Sequence, residues 1–208
     1  MKKLKNEQGV TILMALLLVL TAAVVSAVIL SAALSAARRV NGDRTAQQNY
    51  LAVSSAAELV RDSIDQMRYT ETTTTTYKWD EKSEGYVQTG SSSTEKLPTG
   101  LMGDWLTDGA RNGGCTDTIT ITLPDEVLPP VKASFSMTGR GTGSEGYDIR
   151  IAFSLANAGD ADDCRMTLRL RGIVTEKSDK DTVTQDENYR LTITWGNPKI
   201  TKGAEGNA

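Results

Sequence analysis

The pattern of apolar and polar positions changes its period twice along the chain. From Val10 to Ala37 it reads VTILMALLLVLTAAVVSAVILSAALSAA, with no charge, no proline and no glycine. That exceeds the roughly 20 residues a helix needs to cross about 30 Å of hydrocarbon. As a helix it is about 42 Å long at about 1.5 Å per residue. Over 38–70 the apolar positions thin to a stripe. Tyr50, Val53, Ala57, Val60, Ile64 and Met67 recur at steps of three and four, which predicts one face of an α-helix packed on its own domain. Gln47, Gln48, Ser55, Asp62 and Asp65 fall on the face toward water. The polar opening of this segment contains Gly42, which predicts a kink or brief unwinding there.

Over 71–114 no period persists. Thr72 to Thr76 run into Tyr77 and Trp79, residue types that favour strands. A turn at 81–85 leading into Tyr86-Val87-Gln88 predicts an exposed hairpin, followed by a mobile connection at Ser91–Thr94. Gly100 to Asn112 predicts a short helix carrying Leu101 and Leu106. From Cys115 the period becomes two. Ile119, Ile121 and Leu123 are followed by Val131 to Met137, Ile149 to Leu155, Met166 to Leu170 and Leu191 to Trp195. Five such runs predict an antiparallel sheet with one wet face, whose dry face the helical stripe would cover. The fold class is therefore α+β: a long N-terminal helix packed on a C-terminal antiparallel β-sheet.

Composition narrows the chemistry. The 208 residues carry a net charge of −3, which gives no general electrostatic reason to bind nucleic acid. Histidine is absent, which removes Ser-His-Asp triads, Cys-His pairs and HExxH zinc sites together. With no converging catalytic residues in view, the expectation is a protein that is not an enzyme. The run Gly141-Thr142-Gly143-Ser144-Glu145-Gly146 matches the letters of a dinucleotide-binding loop. That loop must open a helix, whereas Tyr147 to Ile151 alternates as a strand, so a hairpin loop is expected.

The junction before the apolar run is the most specific signal. Lys2, Lys3 and Lys5 lead into Glu7-Gln8-Gly9-Val10-Thr11-Ile12-Leu13, and Arg38 and Arg39 close the run. A secretory signal peptide has a shorter apolar core of about 7–15 residues. A plain membrane anchor does not call for the glycine. This junction resembles the class III signal of type IV pilins and type II secretion pseudopilins. Met14 stands where most members carry glutamate, and no proline precedes Pro98, so the likeness is to PilX-type minor pilins. Ala56-Ala57-Glu58 is similar to their next segment.

The resemblance implies a prepilin peptidase that cuts between Gly9 and Val10 and methylates Val10. It also implies a pilin-like fold and assembly with other pilin subunits through the N-terminal helix, driven by a membrane platform and ATPase. Before assembly the chain would cross the cytoplasmic membrane once, N-terminus inside; afterwards it would sit in an extracellular filament, at or near the tip if Met14 leaves a neighbour's amine unpaired. The segments are then a leader at 1–9, a membrane or filament-core helix at 10–37 and an amphipathic helix at 38–70. A variable region at 71–114, a sheet domain at 115–202 and a disordered tail at 203–208 complete the chain. A membrane-anchored adhesin outside any filament is the alternative.

Two further expectations attach to the extracytoplasmic domain. Cys115 and Cys164, the only cysteines, form a candidate disulfide by even count and inward phase. A simple meander opposes it, because strand ends lie about 17–20 Å apart and bonded Cα atoms about 4.4–6.8 Å. Asp160, Asp162 and Asp163 are weak calcium candidates without EF-hand spacing, and no other cofactor is expected.

Overall fold

The structure is a computed structural model that describes residues 2–124, 127–140, 145–157 and 164–203, with side chains from Val10 onward. Its elements run α1 (Lys2–Asp65), β1 (Arg68–Asp80), β2 (Gly85–Lys96), α2 (Gly103–Asn112), β3 (Gly114–Ile121), β4 (Val131–Gly139), β5 (Tyr147–Leu155), β6 (Met166–Lys180) and β7 (Glu187–Lys202). The chain divides into two compact units, Met1–Gln47 and Gln48–Ala208.

The first unit is helix alone. Ala and Leu favour the helix, and the absence of glycine and proline over 10–37 leaves nothing to interrupt it. The brief unwinding expected near Gly42 is absent, because α1 runs unbroken through that residue. One glycine costs a helix only about 1 kcal/mol, too little to break it by itself.

The second unit is built on a seven-stranded sheet of order β2-β1-β7-β6-β5-β4-β3, antiparallel throughout. Strands β3 to β7 form the expected meander. The β1–β2 hairpin is no marginal appendage, since β1 lies between β2 and β7 with Tyr69 opposite Ile193. Ser91–Thr94, expected as a mobile connection, pairs in β2 with Thr75, Thr74, Thr73 and Thr72. The β-branched threonines suit a pleated strand, with serine and threonine opposite them on β2 and Arg190, Tyr189, Asn188 and Glu187 on β7.

The helical stripe is buried as its spacing predicts. Val53, Ala57, Val60 and Ile64 are fully buried, as are Ala52 and Ala56 beside them, while Met67 lies just past the helix end and is nearly so. Tyr50 is the exception at 44% exposed, and the Lys202 ammonium sits 5.0 Å from its ring centre. The stripe joins one core with Phe135, Met137, Ile149, Ile151, Phe153, Leu168, Ile193 and Trp195 from the dry face. Fully burying one such side chain stabilises the fold by roughly 1.5–3 kcal/mol. Helix α2 closes this core with Met102 and Leu106, and Trp105 lies tilted against Phe135 at 5.4 Å. Leu101, expected on this helix, precedes it and is 41% exposed, while Met102 at the cap position is fully buried.

Candidate functional site

The first candidate site is the uncovered apolar helix and its N-terminal junction. From Val10 onward every apolar side chain of the run is exposed, with Val10 at 59% and Met14 at 63%. By length and composition this is the one helix among the described residues able to cross a membrane. Three of its hydroxyls have partners within the helix. Thr21 donates to the Leu18 carbonyl at 2.9 Å, Ser26 to Ala22 at 2.8 Å and Ser35 to Ser31 at 3.0 Å. Such back-bonding removes the need for water, which a hydrocarbon or helix-bundle environment lacks. Gly9 and Val10 both lie inside α1, and Val10 and Met14 are one helical turn apart.

The other residues singled out from sequence do not converge. Cys115 is level with Met137, Ile149 and Leu170 across four strands, whereas Cys164 precedes Met166, which is level with Phe153, Ala133 and Ile119. The two cysteines are thus separated by three strand spacings of about 4.8 Å and by about six residues of strand length at about 3.4 Å each. No disulfide joins them, and the meander is the physical reason. Burial, with help from Asp108 and Asp117, pushes the Cys115 thiol up.

Asp160, Asp162 and Asp163 lie outside the described residues, as do Gly141–Ser144 and the tail from Ala204. Gly146, at the end of the glycine run, leads directly into β5 rather than into a helix. Its φ of 89° and the Gly172 carbonyl beside it explain the glycine structurally. Acidic side chains of the β6–β7 loop serve the backbone. Asp181 accepts the Val183 and Thr184 amides at 2.7 and 3.2 Å, which holds its carboxyl below the usual range. Asp186 accepts the Tyr77 amide at 2.9 Å. Among the described residues no cluster of histidine, cysteine or carboxylate side chains could hold a metal ion.

The second candidate is a concavity of about 680 Å³ on the wet face of the sheet. Arg140, Arg150, Arg169, Arg171 and Lys199 line it, with Asp148 bonded to Arg140 at 2.8 Å. Its cations come from β5, β6 and β7 and from the residue after β4, so no local motif announced it. Near α2, Arg111 pairs with Glu95, which also accepts the Tyr69 hydroxyl at 3.1 Å. Burial first, and then Glu95, pushes the Tyr69 phenol up to about 12. Comparison of the chain with protein-family models, curated proteins and solved structures finds no match.

Proposed function

We propose that the chain is a minor pilin or pseudopilin, a structural subunit of a type IV pilus or related secretion or DNA-uptake filament. The observation that carries this reading is a helix apolar on every side, uncovered by its own chain, and continuous with the helix packed on the sheet. Such a helix requires surroundings that are apolar all round, first lipid and then a bundle of like helices. Exchange of one for the other is nearly neutral in hydrophobicity, so packing and polar contacts decide it. The basic leader before Gly9 supplies the point of release. It would stay inside by the rule that favours lysine on the cytoplasmic side.

Mass spectrometry of the membrane-extracted protein tests this reading. The expected first residue is an N-methylated Val10, and Gly9→Val should leave the leader uncut. A first residue near Ala37 would mark a signal peptidase substrate, and retention of residues 1–9 would favour an anchored adhesin.

Met14 adds a position within the filament. A carboxylate at the fifth mature residue would pair with the charged N-terminal amine of an adjacent subunit, and methionine cannot. Leaving one partner of a buried ion pair alone costs about 3–5 kcal/mol. The subunit is therefore scarce and sits at or near the tip, where no amine ahead needs a partner. Immunogold labelling against the sheet domain should mark filament ends, and regular labelling of shafts would refute this placement.

A further inference from the structure

Among the described residues the sheet has three stretches of edge. β2 has β1 as its one strand neighbour and β3 has β4. β6 continues past Gly172, the partner of Tyr147 in β5, with β7 alone paired to it. A strand edge presents unpaired amides and carbonyls, a template for another chain, and sheets blunt it with charge or short length. Two of the three stretches are blunted. β3 is 8 residues long, and the Asp117 carboxylate accepts the Thr118 amide at 2.7 Å. The β6 stretch carries Glu176, Lys177, Asp179 and Lys180.

β2 is not blunted. It is 12 residues long, and from Gly85 to Thr94 it holds no charge and no proline. Every residue of it but Gly85 and Gly90 is exposed. Its backbone pairs with β1 on one side, and no loop or helix backbone among the described residues bonds to it on the other. Glu95, near its end, is already paired with Arg111.

A bulge gives this edge a two-fold match to itself. Thr76 pairs with Gly90 and Tyr77 with Gln88, so Thr89 is an extra residue in β2. Ser93 and Glu95 therefore share a face with Tyr86 and Gln88, since all four lie opposite odd-numbered residues of β1. Consider two β2 strands laid antiparallel, with the axis between Gly90 and Ser91. Glu95 then meets Tyr86 and Ser93 meets Gln88, each pair on one common face. Lys96 meets Gly85, beside Glu84. The whole strand is matched, and no charge faces its like.

We infer that β2 is an interaction edge whose occupant is β2 of a second copy of this chain, joining two seven-stranded sheets into one. Main-chain hydrogen bonds supply the affinity of such strand addition. Each residue pair occurs twice, as in any isologous contact. A charged strand would find no counter-charge between Tyr86 and Thr94, whereas a second β2 brings no charge to that stretch. The contact is smaller than a standard interface, so the association is weak and micromolar. This inference stands independently of the filament reading.

The test is sedimentation equilibrium of the full-length protein in density-matched detergent, over a concentration series through the micromolar range. The parent should fit a monomer–dimer equilibrium. Gln88→Lys with Ser93→Lys puts lysine opposite lysine twice and should weaken the dimer about tenfold. Gln88→Glu with Ser93→Glu should do the same. An equimolar mixture of the two double variants should dimerise at least as well as the parent, which misfolded chains could not do. Thr120→Lys, on the β3 edge, should change nothing. A parent that stays monomeric would overturn the inference and leave the edge to a strand of another protein. A dimer that neither double variant weakens would overturn it too, and would place association on the apolar helix. So would two weakened variants that fail to rescue each other.

Discussion

Two halves of α1 treat apolar surface in opposite ways. Between residues 52 and 64 the apolar side chains at helical spacing are completely buried in the sheet's core. Between residues 10 and 37 the helix is richer in apolar side chains, yet Leu20 is 58% exposed and Leu34 53%. Apolar content therefore does not decide what the chain covers for itself; period does. A stripe matches one face of one sheet, whereas a helix apolar all round matches only an environment that is apolar on every side.

The strongest way to break this comparison is a charge placed in each half. Val60→Asp or Ile64→Asp forces a carboxylate among fully buried neighbours and should cost the sheet unit about 4 kcal/mol. Leu20→Asp should leave the same transition where it was. The measurement is thermal unfolding of the full chain in detergent, followed through the aromatic signal of the sheet. Equal melting of all three variants would mean the stripe faces something other than its own domain.

The reverse experiment reads the uncovered half. A charge near the centre of a membrane helix costs about 2.5–3.5 kcal/mol on insertion. Leu20→Arg should therefore move much of the protein out of the alkali-washed membrane fraction, while Val60→Asp should not. Retention of Leu20→Arg would argue that this helix is not held by lipid.

Sequence made the halves legible because each has one unambiguous period. Val53, Ala57, Val60 and Ile64 announce a stripe, and the alternation in β4 to β7 announces strands with a dry face. The β1–β2 hairpin was legible as strands but not as part of the main sheet. Nothing local in Thr72–Thr76 tells that Glu187 to Leu191 will pair with β1. Met102 was hidden by its neighbour Leu101, because one residue of phase decides which apolar side chain faces inward. The cation-lined concavity was invisible for a related reason. Arg150, Arg169 and Lys199 each read as an ordinary polar position on a wet face. Only strand order brings them side by side. Net charge, a sum over the chain, hides such clustering.

A polar border of the covered region offers a smaller effect with a distinctive pH signature. Tyr69 is nearly buried, and its phenol is raised from 10.0 to about 12 by burial and by Glu95. A raised phenol pKa means that folding favours the protonated form. Its contribution is full below about pH 10 and is lost as pH rises toward 12. Urea unfolding of the sheet unit should therefore weaken across that window, and Tyr69→Phe should remove this part of the decline. The variant itself should cost about 1 kcal/mol at neutral pH through the lost hydrogen bond to Glu95. An unchanged decline in Tyr69→Phe would assign the effect to other groups.

The smallest effect concerns Gly42, in the uncovered unit and close to its limit at Gln47. A Cβ built there meets no atom within 4 Å, so alanine fits without strain. Alanine also restricts the unfolded chain, and the exchange favours helix by about 1 kcal/mol or less. Where that gain appears decides whether the halves of α1 share their stability. Sub-global opening is measured by amide exchange, residue by residue. If the uncovered unit opens on its own, Gly42→Ala should slow exchange near residues 38–47 up to about fivefold, since about 1.4 kcal/mol is tenfold. The melting of the sheet unit should then stay fixed, because Gly42 belongs to the other unit. A sheet transition stabilised by the same amount would show that the two halves unfold together, and the contrast between them would be one of surroundings alone.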